Sequence, residues 1–318
     1  MSCLRIKFGR LIMNPSHLDI PGGVLLESAN KLSNVALRSV NLMSMIKRQH
    51  QGSMYHVDFS SELANQLKQQ AEIRIFTLGH FALYQGEEDL LSGRNPTEKP
   101  LELLKALIAQ GSKNVGVIRL CDALWPDVDG DVAHSSFSVT LHRLRKILGK
   151  DALILEGNRL SLNPKHCWVD AWYCEFLLKE LDYQFTWNNI DADYVQLLVD
   201  DLIEVYSGDF LGAEDERTWD IVYRDKLHTK FQRVIQNVCR HFETLGHCEK
   251  AINLYLKALE LDPGAENLYY KLIQCYLGKN RITEAARAYS RCEKMIRTTL
   301  NIGLSQNMRK LHGAIFHA

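Results

Sequence analysis

The apolar residues between positions 131 and 149 recur at helical spacing. Four large ones follow one another at steps of four, three and four residues, which places them on one side of a helix. They are Phe137, Leu141, Leu144 and Leu148. Asp131 can cap the start of this helix, and Gly149 can end it with a positive φ angle. The pattern therefore predicts a helix over residues 131–149 with one buried face.

The opposite face of this predicted helix has hydrogen-bond donors and no carboxylate. Its members are Ser135, Val139, His142, Arg143 and Lys146. Donor-rich side chains on a helix can read the edges of DNA bases in the major groove. A solvated amphipathic helix has the same pattern, so this stretch alone leaves both interpretations open.

Short apolar runs separated by turn residues come earlier in the chain. Residues 73–79 and 81–84 are predicted strands, and residues 85–87 form a tight hairpin turn. A third short strand is predicted near Leu90 and Leu91. These runs together predict a small antiparallel sheet.

Two further helices are predicted between this sheet and the helix over 131–149. The first ends at Gly111, and the second spans Val117 to Trp125. After the third helix, two apolar strands flank a turn and predict a hairpin over residues 153–162. Strands, three helices and a terminal hairpin make a winged helix-turn-helix, whose third helix enters the major groove.

The remaining residues, 168–318, have helical spacing and an internal period of 34 residues. Large and small side chains alternate as in a tetratricopeptide hairpin, where small residues let paired helices approach each other. Phe242, Ala251, Tyr255 and Ala258 correspond to Tyr276, Ala285, Tyr289 and Cys292. Predicted helices at 170–186, 192–206 and 215–240 precede the repeat and complete the stack.

Charge changes this picture only locally, because 38 Lys and Arg balance 38 Asp and Glu over the whole chain. Residues 132–165 have six Lys or Arg against two Asp or Glu, which leaves a net charge of +4 where phosphates could bind. The eight cysteines have no CxxC spacing and indicate free thiols in a reducing cytosol. Cys239, His241, His247 and Cys248 do not have zinc-finger spacing, so we expect no metal.

Three segments resemble the OmpR-type winged helix of bacterial transcriptional regulators, in the branch typified by Streptomyces antibiotic regulatory proteins. They read KPLELLKALIAQG, CDALWPD and SSFSVTLHRLRKILG. Ser138 stands where relatives often have arginine. Residues 168–318 resemble the bacterial transcriptional activator domain, in the segments VDAWYCEFLL and VYSGDFLG and at Trp219, Arg224 and Leu227.

These resemblances imply a fold that is mainly α with a small α+β domain: a winged helix-turn-helix followed by a tetratricopeptide-like helical module. We divide the chain into a partly helical N-terminal spacer at 1–71, a winged-helix DNA-binding domain at 72–166 and a bacterial transcriptional activator domain at 167–318. Within the spacer, helices are predicted over residues 24–49 and 60–70.

The implied function is sequence-specific DNA-binding transcriptional regulation, in the direction of activation. The helix over 131–149 would enter the major groove, and the wing at 153–162 would reach the backbone or the minor groove. The candidate DNA-binding residues are Ser135, Ser138, Val139, His142, Arg143, Arg145, Lys146, Lys150 and Arg159. The alternative is a non-DNA adaptor that uses the helical repeats and a degenerate winged helix for protein contacts.

Individual roles follow from residue type. Arg143 suits a bidentate contact to guanine, whereas Lys146, Lys150 and Arg159 suit phosphates. Val139 would either touch a thymine methyl group or pack against the preceding helix. The resemblance implies that Arg145 makes either a phosphate contact or a salt bridge inside the domain.

The expected partners are double-stranded promoter DNA, a second copy of the chain and RNA polymerase. The resemblance implies that polymerase would meet the loop containing Asp127, Asp129 and Asp131, although closure of the core is the other explanation for that loop. We expect no enzymatic activity and no cofactor, since GxSxG and HExxH motifs are lacking. No apolar run approaches a membrane span, and charges interrupt the N-terminal apolar runs, so we expect a cytoplasmic protein without a signal peptide.

The segment VALRSVNLMSMIKRQH resembles the end of a helical array that precedes this domain pair in much larger, ATPase-containing regulators. One expectation is therefore that the chain is the C-terminal part of such a regulator, and the other is that it is a shortened relative. No Walker-type phosphate loop occurs in these 318 residues.

Overall fold

A computed structural model describes residues 71–92, 98–186, 192–212 and 218–316. The helices predicted over 24–49 and 60–70 lie outside the described residues. Strands in the described part are β1 (Ile73–Phe76), β2 (Ala82–Gln85), β3 (Glu88–Asp89), β4 (Val115–Gly116), β5 (Leu153–Glu156), β6 (Arg159–Leu162) and β7 (Cys167–Val169). Helices in the described part are α1 (Glu98–Ala109), α2 (Val117–Leu124), α3 (Gly130–Leu148), α4 (Asp170–Thr186), α5 (Ala192–Val205), α6 (Thr218–Thr244), α7 (Cys248–Leu261), α8 (Glu266–Gly278), α9 (Ile282–Leu300) and α10 (Gln306–Phe316).

The first sheet has the strand order β3-β2-β1-β7. The predicted position of its third strand near Leu90 and Leu91 is wrong by two residues. Gln85 pairs with Glu88 across a two-residue turn, so pairing resumes immediately after the turn, and Leu90 is buried beyond it. We did not predict β7, which pairs in parallel with β1. All three of its residues are buried, so it lacks the alternation that marks a half-exposed strand.

Helices α1, α2 and α3 pack on one another, beside a second sheet of order β4-β6-β5. The apolar stripe of α3 is buried as predicted, with Phe137, Leu141, Leu144 and Leu148 each at most 4% exposed. Strands β5 and β6 form the predicted hairpin, and Leu155 pairs with Leu160. These elements form the predicted winged helix-turn-helix.

The prediction for α3 is confirmed at the C-terminal end of the helix and is wrong at its N-terminal end. Gly149 follows the helix with φ +86°, as expected from its lack of a Cβ atom. The cap is Asp129, however, and the assignment to Asp131 is wrong. The Asp129 side chain accepts a hydrogen bond from the Asp131 backbone N–H at 3.1 Å. Because the helix begins at Gly130, Asp131 lies in its first turn, where its carboxylate faces the positive end of the helix dipole.

Helices α4 to α10 form the helical module, in which each of α6, α7, α8 and α9 packs against the next. The eight residues of the predicted 34-residue repeat are all buried. Helix α7 ends at Leu261, two residues before Pro263, which is the position expected for the end of the first unit. The architecture is therefore mainly α with a small α+β part, a winged helix followed by a tetratricopeptide-like module.

The winged helix and the helical module meet through backbone hydrogen bonds, which we call the junction. The Gly79 N–H donates to the Asp209 carbonyl at 2.8 Å, and the Leu211 N–H donates to the Thr77 carbonyl at 2.6 Å. A Cβ atom on Gly79 would lie 2.8 Å from the Ser207 carbonyl oxygen, so the two backbones can approach this closely only at glycine. The boundary at 166/167 stays a prediction, and β7, directly after it, belongs to the first sheet.

A buried carboxylate holds the junction from inside. Asp170 begins α4, is 2% exposed and accepts hydrogen bonds from the N–H groups of Thr77, Leu78 and Ala171 and from the Thr77 hydroxyl. The distances are 2.7–2.9 Å. Helix α1 also packs against α6. The first helix of the winged helix thus rests on the helical module, which leaves α3 on the outside.

Candidate nucleic-acid interface

The outer face of α3 is formed by Ser135, Val139, His142, Arg143 and Lys146, all of which are exposed. Within the described residues, none of their side chains makes a hydrogen bond or an ion pair. Val139 is 53% exposed, so it does not pack into the preceding helix, which was one of its two predicted roles. The face therefore exposes hydrogen-bond donors, two cations and one apolar side chain to solvent. No other described residue pairs with these groups.

The wing is anchored to α2. Its turn residues Gly157 and Asn158 both have positive φ, which is the conformation that a two-residue hairpin turn needs. The Asn158 carbonyl accepts the first N–H of α2, from Val117, at 2.9 Å. This hydrogen bond fixes the tip of the wing relative to the start of α2.

Two predicted DNA-binding arginines are tied to the winged helix itself. The Arg159 side chain is exposed, and its Nη1 donates to the Asn114 carbonyl at 3.0 Å. Arg145 is half-buried, and its Nη2 donates to the Leu153 carbonyl at 3.3 Å. The structure thus directs Arg145 toward strand β5, and it is not part of the exposed outer face of α3.

The remaining two predicted residues are exposed. Ser138 donates its hydroxyl to the His134 carbonyl one turn earlier at 3.0 Å, so its side chain is turned onto its own helix. Lys150 follows Gly149 at the C-terminal end of α3 and makes no hydrogen bond or ion pair within the described chain. Lys150 and Lys146 are both near the negative end of the α3 dipole.

The structure also brings forward a cation that we did not predict as a site residue. Arg119 is exposed on the first turn of α2, close to the Val117 hydrogen bond to the wing. The signal lay in the helical phase of α2, since Leu120 and Leu124 point inward and residues 118 and 119 then point outward. Its neighbour Ile118 is 73% exposed, which is unusual for a large apolar side chain.

The loop before α3 and the first turn of that helix contain the three aspartates considered for polymerase contact. Asp127, Asp129 and Asp131 are all exposed, although Asp129 is engaged as the helix cap. Trp125 is partly buried and packs against the core, in agreement with the core-closure explanation for that residue. Val128 and Val132 are 40% and 55% exposed, so apolar and acidic side chains alternate along the loop surface.

Of the residues considered and set aside for metal binding, Cys239 has a structural role. Cys239 is fully buried, its thiol lies 3.7 Å from the Ala251 carbonyl, and burial raises its pKa well above the usual value for a thiol. Across the described ranges, no three His, Cys, Asp or Glu side chains converge as metal ligands. In the same ranges, no helix combines the length and the apolar character that crossing a bilayer requires.

Comparisons with known proteins agree with this architecture. Residues 192–316 match the family model described as Bacterial transcriptional activator domain. The chain is 22% identical over 253 residues to Regulatory protein AfsR of Streptomyces griseus, which covers 77% of this chain and 25% of that relative. The chain thus spans about a quarter of the length of this curated relative.

A solved structure has the same fold. The structure of Mycobacterium tuberculosis EmbR in complex with a low affinity phosphopeptide superposes with a TM-score of 0.56 at 18% sequence identity. The superposition covers 77% of this chain and 65% of that one. Residues 192–316 thus match the bacterial transcriptional activator domain, and the chain is similar to regulators of that type, the Streptomyces antibiotic regulatory proteins among them.

Proposed function

We propose that the protein is a transcriptional regulator that binds specific promoter sequences through its winged helix. The observation that carries the proposal is the outer face of α3, which is exposed, free of carboxylates and unpaired with other described residues. A helix of this kind, buried on one side and followed by a wing, can enter the major groove. The wing would then reach the flanking backbone or the minor groove.

The proposed contacts fall into two classes. Ser135, Val139, His142 and Arg143 would discriminate between bases, with Arg143 suited to guanine and Val139 to a thymine methyl group. Lys146, Lys150 and Arg159 would neutralise phosphates and supply the salt-dependent part of the affinity. Ser138 would add a hydroxyl contact at most, because that hydroxyl is already donated to its own helix.

Activation, promoter DNA as partner, dimerisation and contact of the aspartate loop with RNA polymerase belong to the same proposal. The description of the family at residues 192–316 supports activation, and the exposed aspartates support contact with polymerase. A cytoplasmic location belongs to it as well, since the protein has to reach the chromosome. So does a role without catalysis, because the relative is named as a regulatory protein.

The second candidate is a protein-interaction adaptor with a degenerate winged helix. Two observations favour it: the formal charge of the chain is +0, and Ile154 and Leu155 in β5 are 37% and 40% exposed. Exposed apolar side chains on a wing suit a protein partner better than a phosphate backbone. This candidate predicts that binding of the protein to DNA does not depend on salt concentration.

Selection of binding sites from random duplexes, followed by salt titration of the best sequence, separates the two candidates. Three neutralised phosphates predict a slope of about −3 for log affinity against log salt concentration. A recovered consensus together with such a slope supports DNA recognition. Failure to recover a consensus sequence, together with duplex binding that does not change with salt concentration, supports the adaptor.

A further inference from the structure

The helical module has a groove between α7 and α9, with α8 as its floor, that is separate from the winged helix. It has a volume of about 170 Å³. Leu272 and Tyr269 in the floor are both 1% exposed, while Leu256 on the α7 side is 36% exposed. The groove lies between α7 and α9, which are the second helices of two successive pairs, and its floor is α8, the first helix of the second pair.

One polar group in the groove is buried without a partner. The Tyr269 hydroxyl makes no hydrogen bond with another described residue, although Tyr269 lines the groove and is 1% exposed. A buried hydroxyl without a partner loses its hydrogen bonds to water, and this loss lowers the free energy of unfolding. The groove would satisfy this donor if a ligand supplied an acceptor there.

Two guanidinium groups line the same groove. Arg287 and Arg291 are exposed, lie one helical turn apart on α9 and both line the groove. Neither makes an ion pair with another described residue. Burial raises the pKa of Tyr269, and the charge of Arg291 lowers it by a smaller amount.

The acidic residue of the groove is already neutralised. Glu284 accepts a hydrogen bond from Arg281 Nε at 2.9 Å, and Arg281 also pairs with Glu249 at 3.2 Å. Arg281 also lies over the Tyr276 ring, 4.8 Å from its centroid. The hydrogen bond from Arg281 lowers the pKa of Glu284, and the charge of Arg287 lowers it by a smaller amount. The groove therefore offers two unpaired cations and one unpartnered donor above an apolar floor.

From this arrangement we propose that the groove binds a peptide segment of a partner protein in which a carboxylate adjoins an apolar side chain. Arg287 and Arg291 would hold the carboxylate, Tyr269 would donate to it, and the apolar side chain would lie on Leu256 and Leu272. This inference does not rest on DNA binding, since no residue of the groove belongs to the winged helix.

The test is selection of random heptapeptides by the immobilised full chain, with measured affinities for the enriched peptides. We expect enrichment of Asp or Glu next to Leu, Ile or Phe, and at least tenfold weaker binding when the acid is changed to its amide. The double variant Arg287→Ser with Arg291→Ser should lose the enrichment. The matched control, Arg297→Ser with Lys310→Ser, removes the same charge outside the groove and should retain it.

Tyr269→Phe separates a binding role from a structural one. It should weaken the selected peptides several-fold while the midpoint of thermal unfolding does not fall, because the hydroxyl has no partner to lose in the free protein. Equal binding of acid and amide peptides, the same enrichment by the Arg287/Arg291 double variant, or no enrichment would each overturn the proposal.

Discussion

The outer face of α3 and the junction both contain charged side chains, but these are exposed in the outer face and buried and hydrogen-bonded in the junction. Arg143 and Lys146 are exposed and have no partner among the described residues, whereas Asp170 accepts several hydrogen bonds in the interior. An exposed cation is well solvated and remains available to a ligand, but a buried carboxylate is tolerated only when donors surround it. Pairing within the fold, more than residue type, separates the candidates for binding from the residues that hold the architecture.

The junction contains a second paired group, at His228. Its Nδ1 lies 3.0 Å from Asp209 and its Nε2 lies 3.2 Å from Asp262. The hydrogen bonds to Asp209 and Asp262 raise the pKa of His228 to about 10. The hydrogen bond from His228 in turn lowers the pKa of Asp209. His228 thus connects α6 to the loop that meets the winged helix and to the end of α7.

The largest effect is expected from Asp170→Ala, because four donor groups would lose their acceptor in the interior. We expect the free energy of unfolding to fall by roughly 3–5 kcal/mol. Urea denaturation of the variant measures it, with the exposed Asp225→Ala on α6 as control. A loss below about 1 kcal/mol would mean that Asp170 does not hold the junction.

His228→Gln should cost roughly 1.5–3 kcal/mol at pH 6, where two charged hydrogen bonds are lost. The folded pKa of about 10 lies above the unfolded value of roughly 6.5, so this stabilisation is complete below pH ~6.5 and is lost as pH rises toward 10. Urea denaturation between pH 6 and 10 should therefore show wild type approaching the variant. A gap that stays constant with pH would contradict the paired imidazolium.

On the outer face, Arg143→Ala should cost ~1–3 kcal/mol of binding at the cognate sequence and relax specificity at one base pair, without lowering the unfolding midpoint. Titration of cognate and scrambled duplexes measures this. Equal losses of affinity for the two duplexes would show that Arg143 contacts only phosphates.

The smallest effect is expected from Lys146→Ala. It should weaken cognate and scrambled duplexes alike and reduce the salt slope by about one, since one counterion-releasing contact disappears. Arg145→Ala is the informative comparison, because its guanidinium is directed to the Leu153 carbonyl and its loss should disturb the wing. An unchanged slope for Lys146→Ala would remove that residue from the phosphate contacts.

Much of the winged helix could be predicted because its signals are local. The spacing of Phe137, Leu141 and Leu144 defines a buried stripe, and the residues opposite them are necessarily exposed. The start of α3 was misplaced because Asp129 and Asp131 are both good caps, and a shift of two residues hardly changes the pattern.

Other features could not be predicted because they depend on residues far apart in the chain. Strand β7 is a three-residue buried run whose partner, β1, lies more than ninety positions earlier. The same holds for Asp170, whose donors at residues 77 and 78 are 93 and 92 positions away. No spacing rule connects such positions.

The sequence by itself determined the order of elements, the buried and exposed faces of α3, and the 34-residue repeat, since each follows from helical or strand periodicity. Only the tertiary structure decided which polar side chains are left unpaired. It directed Arg145 toward the wing and left Arg143 exposed without a partner among the described residues. The physical reason is that a hydrogen bond depends on distances between atoms that the chain brings together only when it folds.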